Sequence, residues 1–154
     1  MIMRRSLRAW PIVAFVALPV FPGLLSNSET RFTSGEAGRT VWDSVYSAAQ
    51  AARGDTGYVK SCARCHGASL GGADQSPPLA GASFLGNWNA LPLSELHSRI
   101  KTTMPSDSIG VLDGKLVTDV IAYLLKANGF PEGARELSTN TDSLAEIELR
   151  TRRP

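Results

Sequence analysis

Cysteine and histidine are both scarce here, two of each in 154 residues. A structural zinc site wants about four Cys or His ligands, and beyond Cys62, Cys65 and His66 the chain offers only His97, so zinc fails on ligand count. Strand-like alternation is weak throughout, and no convincing strand precedes the cysteine pair, which argues against the βαβ setting of a thioredoxin-like dithiol. No internal repeat is visible. The basic stripe of a nucleic-acid binder is also missing: 16 Lys and Arg stand against 14 Asp and Glu, and Arg4, Arg5 and Arg8 all lie in the first 26 residues. Without that segment 13 basic residues face 14 acidic ones, a net charge of −1. With 43% hydrophobic and 19% charged residues, the composition is that of one globular domain rather than a disordered chain.

What is present begins with an address. The three arginines form a basic n-region, and Trp10 to Leu25 is an apolar run broken by Pro11, Pro19 and Pro22, the pattern of an export signal. It is short and proline-rich for a membrane span, which takes about 20 apolar residues. No clean small-x-small cleavage site stands out, so two readings of residues 1–26 remain, a removed signal and an N-terminal anchor that is retained. Either places the remainder in the periplasm or another extracytoplasmic space, with membrane contact only in the second case. Residues 27–39 read as a flexible leader, 40–135 as the folded domain and 136–154 as a partly ordered C-terminal extension.

The chemistry concentrates in Cys62-Ala63-Arg64-Cys65-His66. Two thiols separated by two residues and followed directly by an imidazole form a covalent haem-attachment pattern. With one helical turn between them, both thiols reach the same edge of a porphyrin and add to its vinyl groups, and His66 falls beneath the iron as proximal ligand. A six-coordinate electron-transfer iron needs a second axial ligand. Met104 is the only methionine outside the signal segment, 38 residues after His66 and followed at once by Pro105. A thioether ligand favours the ferrous state and raises the potential. The rival is His97, placed by helical spacing near the edge of a buried face as a partly exposed histidine.

Helical periodicity accounts for most of the rest. Val41, Trp42, Val45, Tyr46, Ala49 and Ala52 predict a helix from Thr40, with Gly54 as its C-cap and a second helix from Asp55 to Cys62. After His66 comes a long turn-rich loop through Gly67, Gly71, Gly72 and Pro77-Pro78-Leu79-Ala80-Gly81, in which Phe84, Leu85, Trp88 and Leu91 supply apolar contacts. A loop of this length needs a reason, and wrapping a flat cofactor supplies one. Ser94 is expected to cap a helix ending before Thr102-Thr103-Met104-Pro105. Residues 115–128 form the strongest predicted helix, stopped at Gly129, and Leu144, Ile147 and Leu149 predict one short helix before a frayed end. The fold class is all-α.

The haem motif with Gly67, the proline loop, Met104-Pro105 and Asp119-Val120-Ile121-Ala122-Tyr123-Leu124 together resemble a class I cytochrome c over residues 41–135. More narrowly, residues 41–54 and 126–131 are similar to small bacterial cytochromes that accompany quinoprotein or other periplasmic dehydrogenases. The resemblance implies one haem c, short helices and long loops wrapped around it, and attachment outside the cytoplasm. It implies that a carbonyl at Pro77 or Pro78 orients the His66 ring, with both prolines open, and that Gly57 lets the N-terminal helix cross the C-terminal one near Tyr123. Trp88 is given two equal roles, a propionate donor or a packing residue. The implied function is that of a monomeric electron carrier, not an enzyme, working between a dehydrogenase or quinol-oxidising donor and an oxidase or other acceptor. A permanently bound cytochrome subunit is the alternative, and an open-site haem enzyme or gas sensor the remote one.

Overall fold

The computed structural model describes residues 38–154; the expected export signal over residues 1–26 and most of the expected leader over 27–39 lie outside them. Six helices carry the fold among the described residues, in an all-α, cytochrome c-like arrangement. In chain order they are α1 (Ala48–Ser61), α2 (Ala63–His66), α3 (Ala82–Trp88), α4 (Leu93–Thr103), α5 (Gly114–Ala127) and α6 (Thr141–Ala145). No helix among the described residues is long and apolar enough to cross a membrane.

The first helix differs from its predicted form. Residues 41–46 make a turn, and one continuous helix starts at Ser47, whose hydroxyl accepts from the Gln50 amide at 3.1 Å. Val41, Val45 and Tyr46 are buried as expected, but in the turn, while Ala49 and Ala52 are exposed. The buried face of α1 is Gln50, Ala51, Gly54, Gly57 and Tyr58. Gly54 is therefore no C-cap. A Cβ at Gly54 would overlap the Asp119 carbonyl and lie 2.9 Å from the Tyr123 Cβ, and one at Gly57 would strike the Leu116 side chain. Glycine stands where α1 lies backbone to backbone on α5. Tyr58 and Tyr123 pack beside this crossing at 5.4 Å between ring centroids.

Helix α5 is capped by the Asp113 carboxylate, which accepts from the Leu116 amide at 2.7 Å, and it ends at Asn128 with Gly129 at φ +82°. Its apolar side, including Val117, Ile121 and Leu125, is buried. Asp119 is buried too, and receives bonds of 3.0 Å from both Arg53 and Lys115, tying α5 to α1. Burial pushes the Asp119 carboxyl up, but the two cations more than offset this and leave it below the usual carboxylate range.

Helix α4 begins at Leu93, so Ser94 sits in its first turn instead of capping it, and it runs on through Thr102 and Thr103 to a C-cap at Met104, past its expected end. Helix α3 was not foreseen, although Phe84 and Trp88 stand at the i, i+4 spacing that marks one. The chain end also departs from expectation. Thr141–Ala145 is helical, but Ile147 and Leu149 alternate inward around Glu148 on strand β3 (Ile147–Leu149). β3 pairs in parallel with β1 (Arg39–Thr40) and antiparallel with β2 (Leu91–Pro92), in the order β1-β3-β2. Arg150 and Thr151, expected to fray, are bonded to Trp42 and Asn89. The extension joins the main core through Leu137, Leu144, Ile147 and Leu149, and Gln50 holds it by accepting from the Leu137 amide at 2.7 Å and donating to its carbonyl at 3.0 Å.

Two outcomes follow for stability. Gly54→Ala should cost about 1–3 kcal/mol or more, because the obstacle is backbone that cannot rotate away, whereas Gly86→Ala, in open space on α3, should gain about 0.4–1 kcal/mol. Urea denaturation of the pair checks this. For Asp119, whose folded pKa is depressed, the stabilisation is present above the unfolded value of about 3.9 and is lost as pH falls through the lower folded value. Asp119→Asn should cost about 1–2 kcal/mol at neutral pH and flatten the acid limb of a stability-versus-pH curve below about pH 4.

Candidate functional site

The end of α1 delivers Cys62, and the short α2 carries Cys65 and His66 one turn on. Tyr58 helps fix this turn: its hydroxyl donates to the Gly67 carbonyl at 2.6 Å, and burial, with Cys62 and Tyr123 nearby, pushes its pKa up to about 12. Burial likewise pushes the Cys62 thiol up, whereas Cys65 is exposed. The loop that follows folds back through Gly72, whose φ is +76° and whose Cβ position would collide with Ser76 and the Pro77–Pro78 backbone. Gly72 donates to the His66 carbonyl at 2.9 Å and Leu79 to the Leu70 carbonyl at 2.8 Å.

This folding-back brings the Pro77 carbonyl to 2.9 Å from Nδ1 of the buried His66. Of the two prolines left open by the sequence, Pro77 makes the contact. A carbonyl oxygen only accepts, so Nδ1 carries a proton and donates it to Pro77, which fixes the ring's orientation. Pro78 lines the same wall without that bond.

Cys62, Cys65, His66, Pro77, Pro78, Trp88 and Met104 all border one cavity of about 1140 Å³. Its walls include Phe84 from α3, Leu96 from α4 and Leu124 from α5. The volume slightly exceeds the usual range of about 300–1,000 Å³ for small-molecule sites. A separate cleft of about 200 Å³ beside Arg39 and Arg135 contains none of these residues.

His97 does not line the cavity. It is also buried, at 7% exposure, rather than partly exposed, and its Nε2 has no hydrogen-bond partner among the described residues. Burial, together with Lys101 one turn along, lowers its pKa. The indole N–H of Trp88 makes no hydrogen bond among the described residues, while Arg99 is the only lysine or arginine on the cavity wall.

Residues 49–124 match the family model described as cytochrome C oxidase, cbb3-type, subunit III. The matched stretch is a class I c-type cytochrome domain. No curated protein and no solved structure matches the chain. A cytochrome of this class binds haem and transfers electrons to and from partner proteins, as a carrier rather than an enzyme. The residues fit that group: two thiols, an imidazole held through Nδ1 and a soft thioether border one largely apolar space.

Two residues that shape the site carry no signal in the sequence, Arg99 on the cavity wall and Asn128 behind the proline loop. Arg99 gives no local signal beyond its place on α4. Asn128, read only as the end of α5, accepts from the Gly81 amide at 2.9 Å and donates to the carbonyls of Leu79 and Leu124 at 3.1 and 2.8 Å, clipping the proline loop to the helix end. Asn128→Asp replaces two donated bonds with a carboxylate facing carbonyls. It should cost about 1–3 kcal/mol and speed amide exchange at Leu79 and Gly81, readable by hydrogen exchange.

Proposed function

We propose that this protein is an exported, monomeric mono-haem cytochrome c that shuttles single electrons between a dehydrogenase or quinol-oxidising complex and an oxidase or other acceptor. The observation that carries the reading is the His66 ring, held by Pro77 through Nδ1, on the wall of the cavity that Met104 and both cysteines also line. Cys62 and Cys65 would hold the haem by thioether links, and His66 and Met104 would supply its iron ligands. When bound, the haem supplies a one-electron iron couple whose potential a thioether ligand raises. The chain's own part is to hold the imidazole in one tautomer and orientation, to exclude water with the apolar walls, and to present Trp88 and Arg99 to the propionates. Export rests on the basic and apolar N-terminal pattern, which also leaves a retained anchor open.

A second reading, a cytochrome subunit held permanently in a larger oxidoreductase complex, draws support from the matched family's description as an oxidase subunit. Co-purification of a stoichiometric partner at moderate salt separates it from the free carrier. The open-site haem enzyme has little support, since His97, its one candidate distal group, stands off the cavity wall.

Optical spectra of the oxidised protein test the ligand set. Met104→Ala should abolish the far-red thioether-to-iron band and admit carbon monoxide to the reduced form, while His97→Ala should retain the band. The opposite pattern refutes the His/Met assignment. An intact mass of the exported protein reads both the haem addition and the N-terminal cleavage.

A further inference from the structure

The turn between α3 and β2 is one that its own residues disfavour. Asn89 has φ −58° and ψ 135°, and Ala90 follows at φ +63°. This is the central pair of a type II turn, whose second position calls for glycine or asparagine. Alanine there is strained by the clash of its Cβ with the backbone, and such strain persists only where the surroundings over-determine it.

The surroundings here are the C-terminal strand and the residues just after it. The Ala90 amide donates to the Leu149 carbonyl at 2.8 Å. Asn89 Oδ1 accepts from the Thr151 amide at 3.0 Å and from its hydroxyl at 2.9 Å. Leu91 and Pro92 then pair with Leu149 and Glu148. The strap is itself anchored, by Ile147 and Leu149 in the core and by the Trp42 indole donating to the Arg150 carbonyl at 2.8 Å. On either side of the strained pair, Trp88, Leu91 and Pro92 all line the large cavity.

We propose that residues 147–151 are a positioning strap: they hold the Asn89–Ala90 turn in its strained form and thereby fix the wall formed by Trp88, Leu91 and Pro92, which sets how far water reaches the haem and so its potential. This rests on the haem reading above. The strap lies beyond the residues that match the cytochrome family, 49–124, and is a feature of this chain's own extension. Solvent access is one of the levers on a metal centre's potential, and a loosened wall stabilises the more highly charged ferric form.

The full-length holoprotein carries the test. Asn89→Ala and Thr151→Pro remove the same two bonds from opposite sides, neither residue being in the core. Each should speed exchange of the Ala90 amide at least tenfold and shift the ferrous/ferric equilibrium about three- to tenfold towards ferric in a redox titration. Adding Ala90→Gly to either, which lets the turn keep its shape unaided, should restore most of the equilibrium. Wild-type potentials in both single variants overturn the proposal even if exchange quickens, and so does a shift that glycine leaves untouched. An intact mass without haem in the wild-type protein instead refutes the haem reading itself, while the exchange experiment still reports whether the strap holds the turn.

Discussion

Helix α1 can rest directly on α5 only because residues 54 and 57 have no side chain, and the haem site hangs from that contact. The close approach at Gly54 and Gly57 fixes where α1 ends, and α1 ends in Cys62. It also brings Arg53 within reach of Asp119 and sets Tyr58 against Tyr123, from where its hydroxyl reaches the Gly67 carbonyl and steadies the turn that carries His66. At the other end of α5, Asn128 clips the proline loop, whose Pro77 carbonyl meets the imidazole. The thiols and the histidine are thus aimed from one side of the helix pair, and the loop that orients the ring is held from the other.

How much of this was legible in the sequence depended on how local the physics is. The haem pattern was legible because both thiols and the imidazole must sit within one helical turn, so their spacing is itself the signal. Helix α5 was legible because its long buried side leaves an unbroken period. Helix α1 was misphased because Val41, Val45 and Tyr46 are buried for a different reason, the turn that precedes the helix, and burial alone does not tell a turn from a helix face. Gly54 reads as a stop in sequence because glycine serves equally as a cap and as a contact point, and only the partner helix, 65 residues further on at Asp119, decides between them.

The same limit explains the misreadings near the site. Asn128 and Arg99 act across the fold, and neither has a neighbour in sequence that betrays its role. Leu144, Ile147 and Leu149 fit a helix by spacing, but Ile147 and Leu149 alternate around Glu148, and the pairing strands that turn this alternation into a strand lie far back in the chain, at Arg39–Thr40 and Leu91–Pro92. His97 shows the converse. Its place on α4 was read correctly, yet whether it reached the cavity depended on the packing of α6, α5 and β3 around that helix.

The parallel pairing of β1 with β3 gives the domain a mechanical character as well. Arg39 lies beside Ile147 and Thr40 beside Glu148, so the described chain leaves its first strand and its last from opposite ends of one short ladder. Tension applied between the two termini runs along both strands and loads their hydrogen bonds together in shear, instead of peeling them one at a time. A cytochrome tethered at one end and tugged at the other would meet that clasp first, before the force reached α1, the proline loop or the pocket between them.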